Sequence, residues 1–378
     1  MRKSGQNTPA PLSTGQNTPA PLSTSRPAAT GLSLGVFSLT HLVVDFACFF
    51  VLFSAFFAGM DEAYLISGGF LLYNAVAFAL QVPIGYLADK VRFSHGFFAI
   101  TGCMLVLLGV ILPVNPWIKL SLCALGNAAF HVGGGIDSLV FARGRYARSG
   151  IFISFGSLGV ALGTLSGKGE LLSPALVAAM LGVCILLMLR FCLLNKQPYE
   201  APFAFPPAVI KTGELVIYLC MLAIVMRAVV GAYTPIPWKS TVFLSLLPAF
   251  MVFGGKFCGG LLADRLGARR VAAVSLLISA PLLAFGNGEI VLCCIGLFLF
   301  NVTTAVTLCV LVSRLPNNPG LGFGLTTLAL FVGTAFSFFF VMSELLRPLL
   351  ICAMIIIAIG CIMVTTMNKR SESRGRGK

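Results

Sequence analysis

The stretch Gly85-Tyr86-Leu87-Ala88-Asp89-Lys90-Val91-Arg92 returns in the second half of the chain as Gly260-Leu261-Leu262-Ala263-Asp264-Arg265-Leu266-Gly267-Ala268-Arg269-Arg270. Asp89 and Asp264 lie 175 residues apart in a chain of 378. Each copy sits where a long apolar run stops. Each supplies a glycine for close helix approach, a carboxylate at a helix end, and then cations. An apolar chain that repeats itself at half its length reads as two helical bundles related by duplication.

Composition excludes a soluble globule. Hydrophobic residues make up 58% of the chain and charged residues only 10%, with a mean hydropathy of +0.96. Soluble domains carry about 25% charged residues. Forty glycines suit membrane helices, whose contacts favour small residues. The length covers about a dozen spans of roughly 20 residues with short connections. All twelve cysteines fall in apolar runs with no metal-ligand spacing to a histidine, so they read as small packing residues. No cofactor is implied.

Residues 1–30 form a polar tail in which Gly5 to Thr14 is repeated unchanged as residues 15–24. Such a segment cannot bury a core and is expected to be disordered. It has no apolar h-region and does not read as a signal peptide. Apolar spans follow over 33–57, 63–87, 96–113, 117–140, 149–168 and 171–194. The second set covers 213–233, 240–263, 269–287, 290–312, 320–343 and 347–367. The expected fold is an all-α membrane protein with twelve transmembrane helices in two pseudo-symmetric six-helix bundles, 31–194 and 213–368. A linker, 195–212, joins them, and a basic tail, 369–378, ends the chain.

The placement of Lys and Arg orients the spans. The tails and even-numbered loops hold nineteen of them, and the odd-numbered loops only Lys119, Lys168, Lys239 and Arg347. Both termini are therefore expected in the cytoplasm, with the chain in the cytoplasmic (inner) membrane. The net charge of +14 is accordingly a topology signal and an attraction to anionic lipid. It is not a folded basic face for nucleic acid.

The repeated stretch resembles the loop signature of the major facilitator superfamily, which joins the second helix to the third and the eighth to the ninth. The second copy is nearly complete; the first departs at Arg92 and Phe93. The resemblance implies a monomeric transporter with a mid-membrane site for a small molecule. It also implies that an acidic residue ending the fourth span, here Asp137, pairs with a cation of the first loop, Arg92. With Asp89 capping a neighbouring helix, Asp89, Arg92 and Asp137 then form a conformational latch. A second latch uses Asp264 with Arg265, Arg269 or Arg270. It is expected to be weaker, because the tenth span ends on Arg314 and no carboxylate.

Ionisable groups inside spans cost several kcal/mol unless paired or hydrated, so each is a functional candidate. His41 and Asp45 share one face of the first span at i, i+4. Asp45 lies about 12 residues into its helix, roughly 18 Å at 1.5 Å per residue, near the midplane. A carboxylate beside a histidine there can take up and release a proton; the bland alternative is a pair that only fixes packing. Asn127 and His131 repeat the i, i+4 spacing in the fourth span, ahead of Gly133-Gly134-Gly135. Arg227 in the seventh span and Lys256 in the eighth add two cations. The 175-residue offset places Lys256 opposite Gln81. Proton coupling is assigned to Asp45, His41 and His131, and substrate contact to Asn127, Arg227, Lys256 and Gln81. Snorkelling is the alternative for the cations.

His41-Leu42-Val43-Val44-Asp45 with Phe130-His131 further resembles the fosmidomycin-resistance-type branch, which includes proton-driven drug exporters. Val132-Gly133 and Gly163-Thr164 replace the proline-containing motifs of that branch. The sequence is thus read as a secondary active transporter of a small anionic or polar solute, proton-coupled and working by alternating access. The alternatives are drug efflux by proton antiport, or a non-transporting sensor or scaffold that kept the fold. No nucleophile constellation, metal site or nucleotide loop argues for an enzyme.

Overall fold

The computed structural model describes residues 27–59, 62–91, 95–142, 144–193 and 213–366. The repeated tail segment, Arg92, the linker and the basic tail lie outside the described residues. Among the described residues all regular structure is helical. The first half holds α1 (Pro27–Val51), α2 (Ala63–Asn74), α3 (Gln81–Lys90), α4 (His95–Ile111), α5 (Pro116–Ala142), α6 (Tyr146–Lys168) and α7 (Pro174–Met188). The second half holds α8 (Gly213–Tyr233), α9 (Val242–Leu266), α10 (Ala268–Ala284), α11 (Ile290–Asn301), α12 (Thr304–Val312), α13 (Pro319–Phe339) and α14 (Arg347–Thr365).

Each apolar stretch expected from the sequence is occupied by helix. Three rods contain wide π turns, at Leu52–Phe56, Ala75–Ala79 and Leu189–Leu193. One rod is broken between α11 and α12, at Val302 and Thr303. Among the described residues, nine helical rods are long and apolar enough to cross a membrane, and α4 is a shorter apolar helix. The exterior fits that reading. Leu186, Leu277, Phe243 and Ile356 are exposed, while His41, Asp45, Asn127, His131 and Arg227 are buried. Water would favour the reverse arrangement; hydrocarbon favours this one. The chain is a multi-pass membrane protein.

Two apolar cores form. One is built mainly from α1 to α7 around Phe37, Phe56, Phe130 and Leu181. The other is built mainly from α8 to α14 around Ile224, Leu276, Cys293 and Ile355. The strongest packing between the two halves joins α6 to α9 and α3 to α13. Glycines make it close: a Cβ at Gly85 would overlap the backbone of Gly320, and one at Gly260 the backbone of Tyr146. Small residues at such crossings let helix backbones touch. Gly159 and Gly163 do the same for α6 against α1.

Candidate functional site

His41, Asp45, Asn127 and His131 converge at the crossing of α1, α5 and α6. All four are buried. The i, i+4 spacing on α1 aims His41 and Asp45 at one spot, and the same spacing on α5 aims Asn127 and His131 back at it. Asn127 Nδ2 donates to Asp45 Oδ1 at 2.7 Å. His41 Nε2 lies 3.2 Å from Asp45 Oδ2, and His131 Nε2 lies 3.8 Å from Asp45 Oδ1. The two imidazoles meet edge to face, with their Nε2 atoms 2.8 Å apart.

The remaining ring nitrogens fix the protons. His41 Nδ1 sits 2.8 Å from the Phe152 carbonyl, and His131 Nδ1 sits 2.9 Å from the Asn127 carbonyl. A carbonyl can only accept, so both Nδ1 atoms donate. A neutral imidazole then has a bare lone pair at Nε2. Two bare lone pairs at 2.8 Å repel, whereas one proton between them makes a hydrogen bond. Asp45 stands beside the pair as the counter-charge for a proton shared there.

These three residues also offer metal-ligating atoms within 4.8 Å of one another. The nitrogen spacing argues against a tetrahedral ion. Metal–nitrogen bonds of about 2.0–2.1 Å at the tetrahedral angle hold their nitrogens about 3.3 Å apart. The observed 2.8 Å is a hydrogen-bond length.

Packing holds the cluster in place. A Cβ at Gly156 would overlap both His41 Nε2 and Asp45 Oδ2. Gly156→Val is therefore expected to cost about 1–3 kcal/mol of overpacking, read as a lower unfolding temperature in detergent. An unchanged melt would show that this crossing tolerates side chains.

Two cations stand on the other half. Arg227 of α8 is buried; its Nη2 donates to Thr304 Oγ1 at 2.9 Å and to the Phe300 carbonyl at 3.3 Å. Its Nε is buried without a partner. Both acceptors flank the break between α11 and α12. Interrupted helices of this kind expose backbone groups at transporter sites. Lys256 of α9 is half-buried, and its Nζ donates to Ser157 Oγ of α6 at 2.8 Å. It reaches across to the first half instead of snorkelling along its own helix. Among the described residues, no carboxylate pairs with Arg227 or Lys256; the ion pairs found join other groups.

Gln81 is buried on α3, and its Oε1 has no hydrogen-bond partner among the described residues. Its Nε2 donates to the Ala77 carbonyl at 2.6 Å, and its backbone packs against Gly324 in the α3–α13 contact. Asn127 donates to Asp45 and so orients it.

The repeated aspartates bind helix N-termini across the two halves. Asp89 accepts from the backbone N–H groups of Gly320 and Leu321, both at 2.8 Å. Asp264 accepts from those of Tyr146 and Ala147, at 2.9 and 3.0 Å. Each carboxylate thus satisfies donors that α13 or α6 leaves free, at the positive end of that helix. Asp89 caps a neighbouring helix as expected, whereas Asp264 takes backbone donors in place of the side-chain cations expected for it. Asp137 pairs with His95 at 3.1 Å, while Arg92 lies outside the described residues. Asp264 forms no ion pair with Arg265 or Arg269 among those found. Both aspartates make the same pair of backbone bonds; they differ in that Asp89 is half-buried and Asp264 exposed.

The fold is that of the major facilitator superfamily of transporters. A crystal structure of the superfamily transporter FucP in the outward conformation superposes with a TM-score of 0.64, over 90% of this chain and 99% of that one, at 14% identity. A variant of the Escherichia coli fucose:proton symporter FucP superposes with a TM-score of 0.64, over 90% of this chain and 98% of that one, at 16% identity. No protein-family model matches the sequence, and no curated protein does.

Proposed function

We propose that the chain is a secondary active transporter that moves a small anionic or polar solute across the cytoplasmic membrane, coupled to protons. Twelve spans form it, with α4, α5 and α10 crossing beside the nine apolar rods. Residues 31–194 and 213–368 are the two rocking bundles, 195–212 links them, and both tails are cytoplasmic. Asp89 and Asp264 latch the cytoplasmic end shut, and opening that latch exposes the site to the other side.

The observation that carries this reading is the buried cluster of His41, Asp45 and His131, with two Nε2 atoms 2.8 Å apart, a spacing that suits a shared proton. A membrane interior tolerates such a group where it serves a proton path. Arg227 and Lys256, without a carboxylate partner among the described residues, supply positive charge for an anionic group. A screen of anionic and neutral solutes in proteoliposomes under an imposed pH gradient tests the proposal. Gradient-driven uptake or extrusion of one of them is expected. A chain that moves solutes equally with and without the gradient is not proton-coupled.

Arg227→Gln removes a charge while keeping a donor for Thr304. The apparent solute constant is expected to rise about tenfold or more, the scale of a lost charged hydrogen bond. A cationic solute, or a wild-type constant in this variant, would reject the anionic site.

A further inference from the structure

We infer that His95 and Asp137 make the latch sensitive to cytosolic pH: their ion pair seats the start of α13 at low pH and releases it as the pH rises. The inference rests on the proposed latch at Asp89 and deepens it.

The pair joins two helices just behind that latch. His95 is the first residue of α4, and its Nδ1 lies 3.1 Å from Asp137 Oδ1 on α5. The two side chains are 14% and 15% exposed, shielded enough for the contact to hold and open enough to exchange a proton with water. Backbones meet there as well: a Cβ at Gly133 of α5 would overlap the His95 carbonyl and the Ala99 amide. The two residues before Asp137 pack on α13. A Cβ at Gly135 would overlap the Phe323 ring, and one at Gly320 would meet Ile136 Cδ1 together with the Gly85 carbonyl and Asp89 Oδ1. Gly320 is also a residue whose N–H Asp89 holds. Ile136 joins Val132 and Ala88 of α3 in a small apolar core, with Phe98 of α4 packed against it. The start of α13 thus rests on α3 through Asp89 and on α5 through Ile136, and His95 ties α5 to α4.

A histidine in this place makes the tie depend on pH. Arginine or lysine would keep its charge across the physiological range, whereas histidine changes charge within it. As an imidazolium, His95 donates from Nδ1 to a carboxylate of opposite charge, and such a bond is about twice as strong as a neutral one. As a neutral ring it offers an ordinary hydrogen bond, and Asp137 keeps its charge beside an uncharged partner. The inner end of α5 then loosens, and the seat of Gly320 loosens with it. The closed form is therefore favoured at low pH and loses that support as pH rises. Among the described residues, the other titratable and charged groups around the pair are Asp89 and Lys90 on α3, with Arg190 and Cys192 in the wide turn after α7. Arg92 and Arg143 lie outside the described residues. The charge of His95 also reaches Asp89. It favours the ionised carboxylate that accepts from α13, so both effects have one sign.

The test uses full-length protein in nanodiscs, with spin labels on the inner ends of α3 and α13, at about pH 6 and about pH 8. The ratio of closed to open forms is expected to be about fivefold higher at the lower pH. His95→Gln keeps a donor without a titratable charge and is expected to show the high-pH ratio at both values. His95→Arg is charged at both and is expected to show the low-pH ratio throughout, which separates a lost charge from a misfolded variant. The buried cluster of His41, Asp45 and His131 is intact in both variants. A pH response of wild-type size in either variant therefore overturns the inference, as does a wild-type ratio that stays constant or falls in acid. Asp89→Asn, measured alongside, tests the latch by itself: unchanged distances in that variant at both pH values sink the latch, whatever His95 does.

Discussion

Asp45→Asn is expected to abolish uphill accumulation of solute in proteoliposomes with an imposed pH gradient, while exchange of solute across the membrane stays measurable. Asp45 is the only acidic residue buried among the described residues. The substitution keeps the shape and an oxygen that can accept from Asn127, but it removes the counter-charge of the imidazolium shared by His41 and His131. Breaking a buried ion pair by neutralising one partner costs about 3–5 kcal/mol. The imidazole pair then loses its proton under conditions where the wild type keeps it, and two lone pairs are left facing each other. Solute still meets Arg227 and Lys256, so the carrier still cycles with solute bound, but nothing ties that cycle to the proton gradient. His41→Gln is the milder companion. It retains Asp45 and His131 and is expected to shift the pH optimum more than it lowers the maximal rate. Full uphill transport by the Asp45→Asn protein would show that protons couple elsewhere.

Much of this site was legible in the sequence, and the limits of that legibility are physical. Spacing at i, i+4 tells which residues share a face of one helix, so His41 with Asp45 and Asn127 with His131 could be paired along their own helices. Nothing in such spacing fixes the rotation of α1 about its axis relative to α5. The contact between the two Nε2 atoms, which suits a shared proton, therefore had no sequence signal. Ser157 was equally silent, since a serine in a glycine-rich helix reads as a packing residue. The 175-residue repeat revealed the two aspartates, suggesting a helix cap for Asp89 and side-chain cations for Asp264. The partners are backbone N–H groups of α13 and α6, which every helix start offers and no residue type announces. His95 was missed for a related reason. A loop signature points to a permanent cation, whereas the group that meets Asp137 is the first residue of α4. The break between α11 and α12 carries neither proline nor glycine at Val302 and Thr303, so the apolar run there read as one uninterrupted span.

Asp89→Asn is expected to depopulate the form in which the Asp89 and Asp264 end is closed, with little change in solute affinity for whichever form binds. Asp89 accepts two backbone N–H groups at 2.8 Å from the start of α13. Hydrogen bonds to a charged acceptor contribute about 1.5–3 kcal/mol each, and a carboxylate at a helix N-terminus adds about 0.3–1 kcal/mol. Asparagine has one oxygen where aspartate has two and bears no charge. A loss of about 2 kcal/mol follows, which is about thirtyfold in the ratio of closed to open forms. Asp264→Asn removes the same pair of bonds from α6, but that carboxylate is exposed, and water and salt screen it. Its effect is therefore expected to be smaller. Spin labels on the facing ends of α3 and α13, and of α6 and α9, read the two populations directly by distance. Solute binding measured on the same samples separates the latch from the site, which stands deeper in the bundle on different residues. If Asp89→Asn left the distance distribution unchanged while solute binding disappeared, the carboxylate would belong to the solute's path, and the glycine contacts at Gly85 and Gly320 alone would hold that end shut.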